Sequence, residues 1–263
     1  MIQQFELKVL KHKILLATNK VVGLENLFED LSNLLNKTHQ KYVTAFPVKN
    51  YRSTKLVATS GDNVDQTSLD SLVQGLECEA LTEQKAANHD LKLDWLNKRM
   101  NEHELASMST VFDLLIWEQS LYETYDHAML KEIIDAIQCP MLFLPHDWQI
   151  ENLVVFHDGS MDSVQMIKTF INVFNPSLRA LPLSVLINHT DRSYNVQQEK
   201  VFIDYLKLFF DDIGVQLIQE DLFGHIQVSP FLKTNNPFLM LGVEGEAFQH
   251  DTELSAPTFL FKG

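Results

Sequence analysis

Residues Asn152 to Ser160 read NLVVFHDGS, and this stretch decides the fold. Leu153 to Phe156 are four consecutive apolar residues, which is typical of a strand buried on both faces of a parallel sheet. Asp158, Gly159 and Ser160 then predict a turn, and Ser160 can cap a helix from Met161 to Phe174. Ligands gather at the carboxyl ends of strands in open parallel sheets, so a ligand site is expected here first.

The alternation of strands and helices continues to the end of the chain. Apolar runs and turn residues separate the elements, and single crossover helices between strands predict a mostly parallel sheet covered on both faces. The predicted strands are Leu183–Ile187, Val215–Gln219, Phe238–Leu241 and Thr258–Phe261, and the predicted helices are Gln197–Asp212 and Ile226–Lys233.

The first half of the chain shows the same order of elements. A long polar loop is expected from Lys49 to Ser71. The pattern repeats after about 140 residues, which indicates two five-stranded domains, residues 1–147 and 148–263. The predicted strands are Lys13–Thr18, Tyr42–Val48, Leu91–Leu96, Asp113–Trp117 and Cys139–Pro145, and the predicted helices are 24–35, Leu69–Leu81, Glu102–Val111 and Tyr122–Ile137.

Composition excludes several classes of function. The chain has 21 basic and 35 acidic residues, a net charge of −14, which argues against nucleic-acid binding. No apolar run approaches the roughly 20 residues of a membrane span, and no leader opens the chain, so a cytoplasmic protein without membrane contact is expected. Cys78 and Cys139 match no metal or redox spacing.

Six stretches together resemble the universal stress protein family in its tandem form. They are KILLATN, DLLIW and CPMLFLP in the first half, and LVVFHDGS, FLMLGVEG and APTFLF in the second. The resemblance implies an α/β fold of two flavodoxin-like (Rossmann-like) domains with strand order 3-2-1-4-5. It also implies ATP or AMP held by an aspartate after strand one and a Gly-x-x-Gly-x9-Gly-Ser/Thr loop after strand four.

The second half retains part of that nucleotide motif. Asp158 matches the aspartate that contacts the base or ribose, and Gly242 and Gly245 match the first two glycines. Ser255 has the spacing of the final serine, but Pro257 follows almost at once, so the last helix of this half is expected to be missing or truncated. Glu244 and Glu246 add negative charge, which favours AMP, adenosine or an unrelated small ligand over ATP.

The first half has lost the motif. Asn19 replaces the aspartate, and Glu118 and Leu121 stand in place of the two glycines. Glycines there let backbone amides approach a phosphate, whereas a carboxylate repels it. No nucleotide is expected in this half.

An enzyme is the alternative at the same turn. Residues Asp158 to Ser163 resemble the Ser-Gly-Gly-x-Asp-Ser loop of ATP pyrophosphatases, although Asp158 and Ser160 depart from it. No other nucleophilic motif and no HxxxH or HxH metal pair occurs. The expectation is therefore a protein without catalytic residues or a metal site.

These observations predict a non-catalytic universal stress-type protein that senses a ligand or binds another protein in a stress response. No cofactor is required, and the candidate ligand is an adenine nucleotide in the second half. The final strands, Met141 to Leu144 and Thr258 to Phe261, are expected to pair as an internal pseudo-dimer, since unpaired strand edges invite pairing. A homodimer is compatible with the same family resemblance.

Overall fold

Parallel strands joined by crossover helices account for most of the architecture. The computed structural model describes residues 10–18, 24–47, 83–96, 102–118, 127–145, 148–188, 196–218, 236–242 and 256–261. The strands are β1 Lys11–Thr18, β2 Gln40–Pro47, β3 Leu91–Trp95, β4 Leu114–Glu118, β5 Met141–Leu144, β6 Asn152–His157, β7 Leu183–Asn188, β8 Ile213–Ile218, β9 Pro237–Gly242 and β10 Thr258–Phe261. The helices are α1 Leu24–Leu34, α2 Glu102–Ser109, α3 His127–Ala136, α4 Met161–Val173 and α5 Val196–Leu206, with a 3₁₀ helix at Pro176–Ala180.

The strands form one sheet in the order β3-β2-β1-β4-β5-β10-β9-β6-β7-β8. Within each half this is the order 3-2-1-4-5, so the flavodoxin-like α/β fold predicted from the sequence is confirmed. Neighbouring strands of one half run parallel to each other. Ten strands therefore belong to two copies of one topology within a continuous sheet.

The halves meet through their final strands. β10 pairs with β5 in antiparallel register, with Thr258 opposite Phe143 and Leu260 opposite Met141. This is the contact expected from the short final strands. It removes two sheet edges from solvent, because each strand then has a neighbour on both sides.

A second contact joins the halves on one face of the sheet. The ends of α1 and α4 meet there, with Asn36 N donating to Val173 O at 2.9 Å and Asn175 N donating to Leu34 O at 2.8 Å. An isolated antiparallel bridge pairs Leu35 with Phe174. The core on this face is consequently continuous between the two halves.

Alternation along the buried strands divides the core between the two faces. In β6, Leu153 and Val155 belong to the cluster under α1, α4 and α5, while Val154 and Phe156 belong to the cluster under α2 and α3. Side chains of a strand alternate between faces, so His157 lies on the α4 and α5 side, at the end of the strand. This placement determines the site described below.

Some predicted elements need correction or lie beyond the described residues. The helix predicted to end at Asp212 stops at Leu206, and Gly214 lies inside β8 instead of ending the helix. The reason is the sheet, because Leu183 N already donates to Asp212 O at 2.9 Å. The predicted loop Lys49–Ser71, the helices Leu69–Leu81 and Ile226–Lys233, and the segment 243–255 expected to lack a helix lie outside the described residues.

Candidate functional site

The crevice of the second half is defined by the carboxyl ends of β6 and β9. These strands are neighbours, with Phe156 opposite Leu241, while the chain after β6 passes through α4 to β7 on the other side. Strand order therefore reverses between β6 and β9. Ligands of open α/β sheets bind at such a switch point.

Asp158 lies in a closed turn directly after β6. Its Oδ1 accepts a hydrogen bond from Ser160 N at 2.9 Å, and Gly159 has a φ of +79°, which suits glycine. Ser160 is the N-cap of α4, and its Oγ accepts from Ser163 N at 3.3 Å. A carboxylate has about four lone-pair sites, so the turn bond leaves Asp158 able to accept hydrogen bonds from a ligand.

Gly242 ends β9 against the first turn of α4. A Cβ built on it would lie 3.5 Å from Ser163 N, an ordinary contact distance, so packing alone does not require glycine at this position. Because Ser163 follows the Asp158 turn, this proximity brings Gly242 to the same crevice as Asp158. Gly245, the third predicted ligand residue, lies outside the described residues.

A buried polar cluster of His157, Ser163 and Glu199 lies beneath the Asp158 turn. Nδ1 of His157 is 2.6 Å from Oγ of Ser163, and its Nε2 is 3.0 Å from Oε2 of Glu199. The ring stacks on Phe202, with centroids 4.0 Å apart and planes at 17°. This His157 cluster joins the end of β6 to the first turns of α4 and α5.

Burial controls the charges of this cluster. Desolvation lowers the pKa of His157 to about 4, although the negative charge of Asp158 opposes the shift. Desolvation also raises the pKa of Glu199, and Asp158 raises it further. His157 is therefore uncharged near neutral pH.

The His157 cluster contains the residue types of a serine nucleophile site, but its serine is not accessible to a substrate. Ser163 has no exposed surface, His157 is 3% exposed, and Oγ of Ser163 donates to Ser160 O at 2.9 Å. A nucleophile must reach its substrate, so this serine is arranged as a structural hydrogen-bonding group.

The sequence alone did not reveal this cluster, because no motif connects His157 with a serine and a glutamate of two helices. One signal was present: both partners fall in the first turn of the helices that follow β6 and β7.

The equivalent position in the first half is occupied by a carboxylate. Glu118 follows Trp117 as Gly242 follows Leu241, and its Oε2 accepts from Oγ1 of Thr18 at 2.9 Å. Asn19 and Leu121 lie outside the described residues. An anionic side chain thus lies between the ends of β1 and β4, where the second half has a glycine.

Other reactive groups give no further site in the part of the chain that the structure describes. No cluster of three or more His, Cys, Asp or Glu residues there could hold a metal ion. Cys139 is buried, which raises the pKa of its thiol to about 12. None of the described helices is long and apolar enough to cross a membrane.

Two solved structures have a fold similar to this one over nearly the whole chain. A universal stress protein from Archaeoglobus fulgidus DSM 4304 superposes with a TM-score of 0.67 and 12% identity, over 95% of this chain and 96% of that one. The cytoplasmic domain of a prokaryotic cation chloride cotransporter superposes with a TM-score of 0.52 and 14% identity, over 95% of each chain. No protein-family profile matches the sequence, and no curated protein is significantly similar to it. The structure therefore has the fold of a universal stress protein over nearly its whole length, as the sequence resemblance predicts.

Proposed function

We propose that this chain is a cytoplasmic, non-catalytic ligand sensor of the universal stress type, with one site in its second half. The observation that carries the proposal is the turn after β6, which holds Asp158 at the switch point beside the end of β9. Asp158 would accept hydrogen bonds from the hydroxyl groups of a ribose or from the base. The backbone of Gly242 borders the same crevice.

The charge of the site favours an adenine nucleoside or AMP over ATP. Asp158 is a carboxyl group at the crevice, and Glu244 and Glu246 follow β9 in the sequence. Each negative charge repels phosphate, and the repulsion increases with the number of phosphate groups. We therefore rank adenosine and AMP above ATP as ligands.

The alternative ATP pyrophosphatase activity has less support. In the turn that resembles its loop, Ser163 N is bonded to Ser160 Oγ, and Ser163 Oγ is buried against His157. These groups are therefore not presented to a pyrophosphate. An enzyme would release pyrophosphate or phosphate from ATP and lose that activity in Asp162→Ala.

A thermal melting screen with adenosine, AMP and ATP tests the proposal. A ligand at 100 times its dissociation constant stabilises the native state by about 2.7 kcal/mol, so the melting temperature should rise clearly with adenosine or AMP. Asp158→Asn keeps the turn acceptor but removes the charge, and it should lose most of the rise. Asp211→Asn is the matched control, because Asp211 is exposed beside the start of β8, at the opposite end of the sheet.

A second candidate is a protein-interaction module. The outer strand β8 has no charged residue, and its Val215 and Leu217 are 49% and 51% exposed. Uncharged edge strands invite pairing with another chain. The likeness to a cytoplasmic domain of a cotransporter makes contact with a membrane transporter one form of this hypothesis. A pure interaction module would show no thermal stabilisation by any nucleotide in the screen.

A further inference from the structure

The contacts of the His157 cluster favour one arrangement of its protons. Ser163 has one hydroxyl proton, and this proton is donated to the carbonyl of Ser160, an acceptor only, at 2.9 Å. With the hydroxyl proton so placed, the contact of 2.6 Å between Ser163 Oγ and His157 Nδ1 takes its proton from the ring. This assignment puts the proton of His157 on Nδ1, and a neutral ring then leaves Nε2 as an acceptor.

The carboxyl group of Glu199 faces Nε2 of His157, so two atoms that can accept a hydrogen bond lie opposite each other. Its Oε2 lies 3.0 Å from Nε2 of His157, and this oxygen is buried without a hydrogen bond among the residues that the structure describes. Two lone pairs this close repel each other unless a proton lies between them. A protonated carboxyl group supplies that proton.

We propose that Glu199 is protonated in the folded protein, that its hydroxyl donates to Nε2 of His157, and that the resulting hydrogen-bond network positions the turn carrying Asp158. The network runs from Glu199 through His157 and Ser163 to Ser160 O, and Ser160 N in turn donates to Asp158. This proposal adds a positioning group to the proposed site. The effect of Glu199 on ligand binding, which would act through the position of Asp158, rests on the proposed function; the proton positions do not.

Burial favours the protonated form. The first turn of α5 stabilises a nearby carboxylate weakly, which favours ionisation of Glu199. Burial of an ion without a partner is more costly than this gain, which favours the neutral acid. The raised pKa of Glu199, caused first by burial and then by Asp158, agrees with this balance.

The charge of Asp158 acts in the same direction. The charged residues on the packed elements are Asp158 in the turn, Asp162 and Lys168 in α4, and Lys200 and Asp204 in α5. Of these, Asp158 acts on both His157 and Glu199, and its negative charge favours retention of the proton. Ionisation of Glu199 would place a second negative charge beside Asp158 and beside the lone pair of Nε2. We therefore expect alkaline pH to loosen the turn.

Nuclear magnetic resonance of the full chain labelled with nitrogen-15 tests the proton positions. The ring of His157 is assigned through its own backbone resonances, which requires no variant at that position. At neutral pH the expected result is a proton on Nδ1 and a hydrogen-bonded, unprotonated Nε2. A proton on Nε2 at neutral pH, with or without one on Nδ1, overturns the proposal.

The same spectra test the positioning role. As pH is raised from about 5 to about 9, the His157 Nε2 signal and the amide signals of Gly159 and Ser160 should shift with a common midpoint. Glu199→Gln offers an amide donor that does not titrate, so this shared transition should disappear while the Nδ1 tautomer remains. Turn signals that titrate in Glu199→Gln as in the wild type refute the role of Glu199.

Thermal melting gives an independent check with a defined sign. The folded pKa of Glu199 is raised above its ordinary 4.5, so its stabilising contribution is present below 4.5 and is lost as pH rises through the folded pKa. Glu199→Gln should therefore gain in melting temperature over the wild type as pH rises. Glu151→Gln, an exposed control, should follow the wild type. Parallel curves for the wild type and Glu199→Gln contradict the proposal. None of these measurements needs a ligand, so a negative nucleotide screen leaves them interpretable.

Discussion

Ser163 connects three features of the candidate site. Its amide is capped by Ser160, its hydroxyl donates to Ser160 O, and its Oγ contacts Nδ1 of His157. The side chain has no exposed surface, so water cannot replace these contacts. One hydroxyl group thus holds the first turn of α4 against the end of β6.

Ser163→Ala should lower the free energy of unfolding by about 1–3 kcal/mol, because it leaves the ring nitrogen of His157 buried without a partner. Urea denaturation measures the change. Ser177→Ala is the matched control and should be near neutral, because Ser177 is exposed and its amide, not its side chain, bonds to Asn175. Equal effects of the two substitutions would contradict the described role of Ser163.

The sequence predicted the site only in part. Asp158 was identified as part of the turn after a buried strand, and Asp158 and Gly242 both match the nucleotide motif that the family resemblance implies. The His157 cluster was not identified, because Ser163 and Glu199 lie 6 and 42 residues from His157 along the chain, and their contacts with it depend on how α4 and α5 pack. Such tertiary contacts leave no periodic pattern in the sequence.

At the scale of elements, β10 is the strand on which the arrangement of the halves depends. It has only four residues, yet it pairs with β9 on one side and β5 on the other. Phe259 lies at its centre, fully buried, and packs edge-on against Phe174 at a centroid distance of 5.1 Å. The pairing was predictable because short apolar strands at the end of each half leave edges that need partners.

Phe259→Ala should destabilise the protein by about 3–5 kcal/mol, the usual cost of removing a buried aromatic side chain. Phe261→Ala, at the half-buried end of the same strand, should cost less. Chemical denaturation compares the two.

Deleting residues 257–263 should go further and cause aggregation, because the facing edges of β5 and β9 lose their partner. A deletion variant that remains monodisperse and melts unchanged would show that β10 is dispensable.

At the scale of the whole molecule, two similar halves differ at the end of their fourth strands, β4 and β9. Both share the strand order and contribute to one sheet, but Glu118 occupies in the first half the position of Gly242 in the second. The carboxylate of Glu118, bonded to Thr18, would repel an anionic ligand there. We therefore expect the first half to support the fold and the second half to bind the ligand.

Isothermal titration calorimetry of the full chain with adenosine and with AMP tests this central claim most directly. The predicted result is saturable binding of one ligand per chain, weakened about 10-fold to 100-fold by Asp158→Asn, as expected for a hydrogen bond to a charged group worth about 1.5–3 kcal/mol. Asp211→Asn should bind as the wild type does. Two ligands per chain, or binding that Asp158→Asn leaves unchanged, would contradict the assignment of the site to the second half.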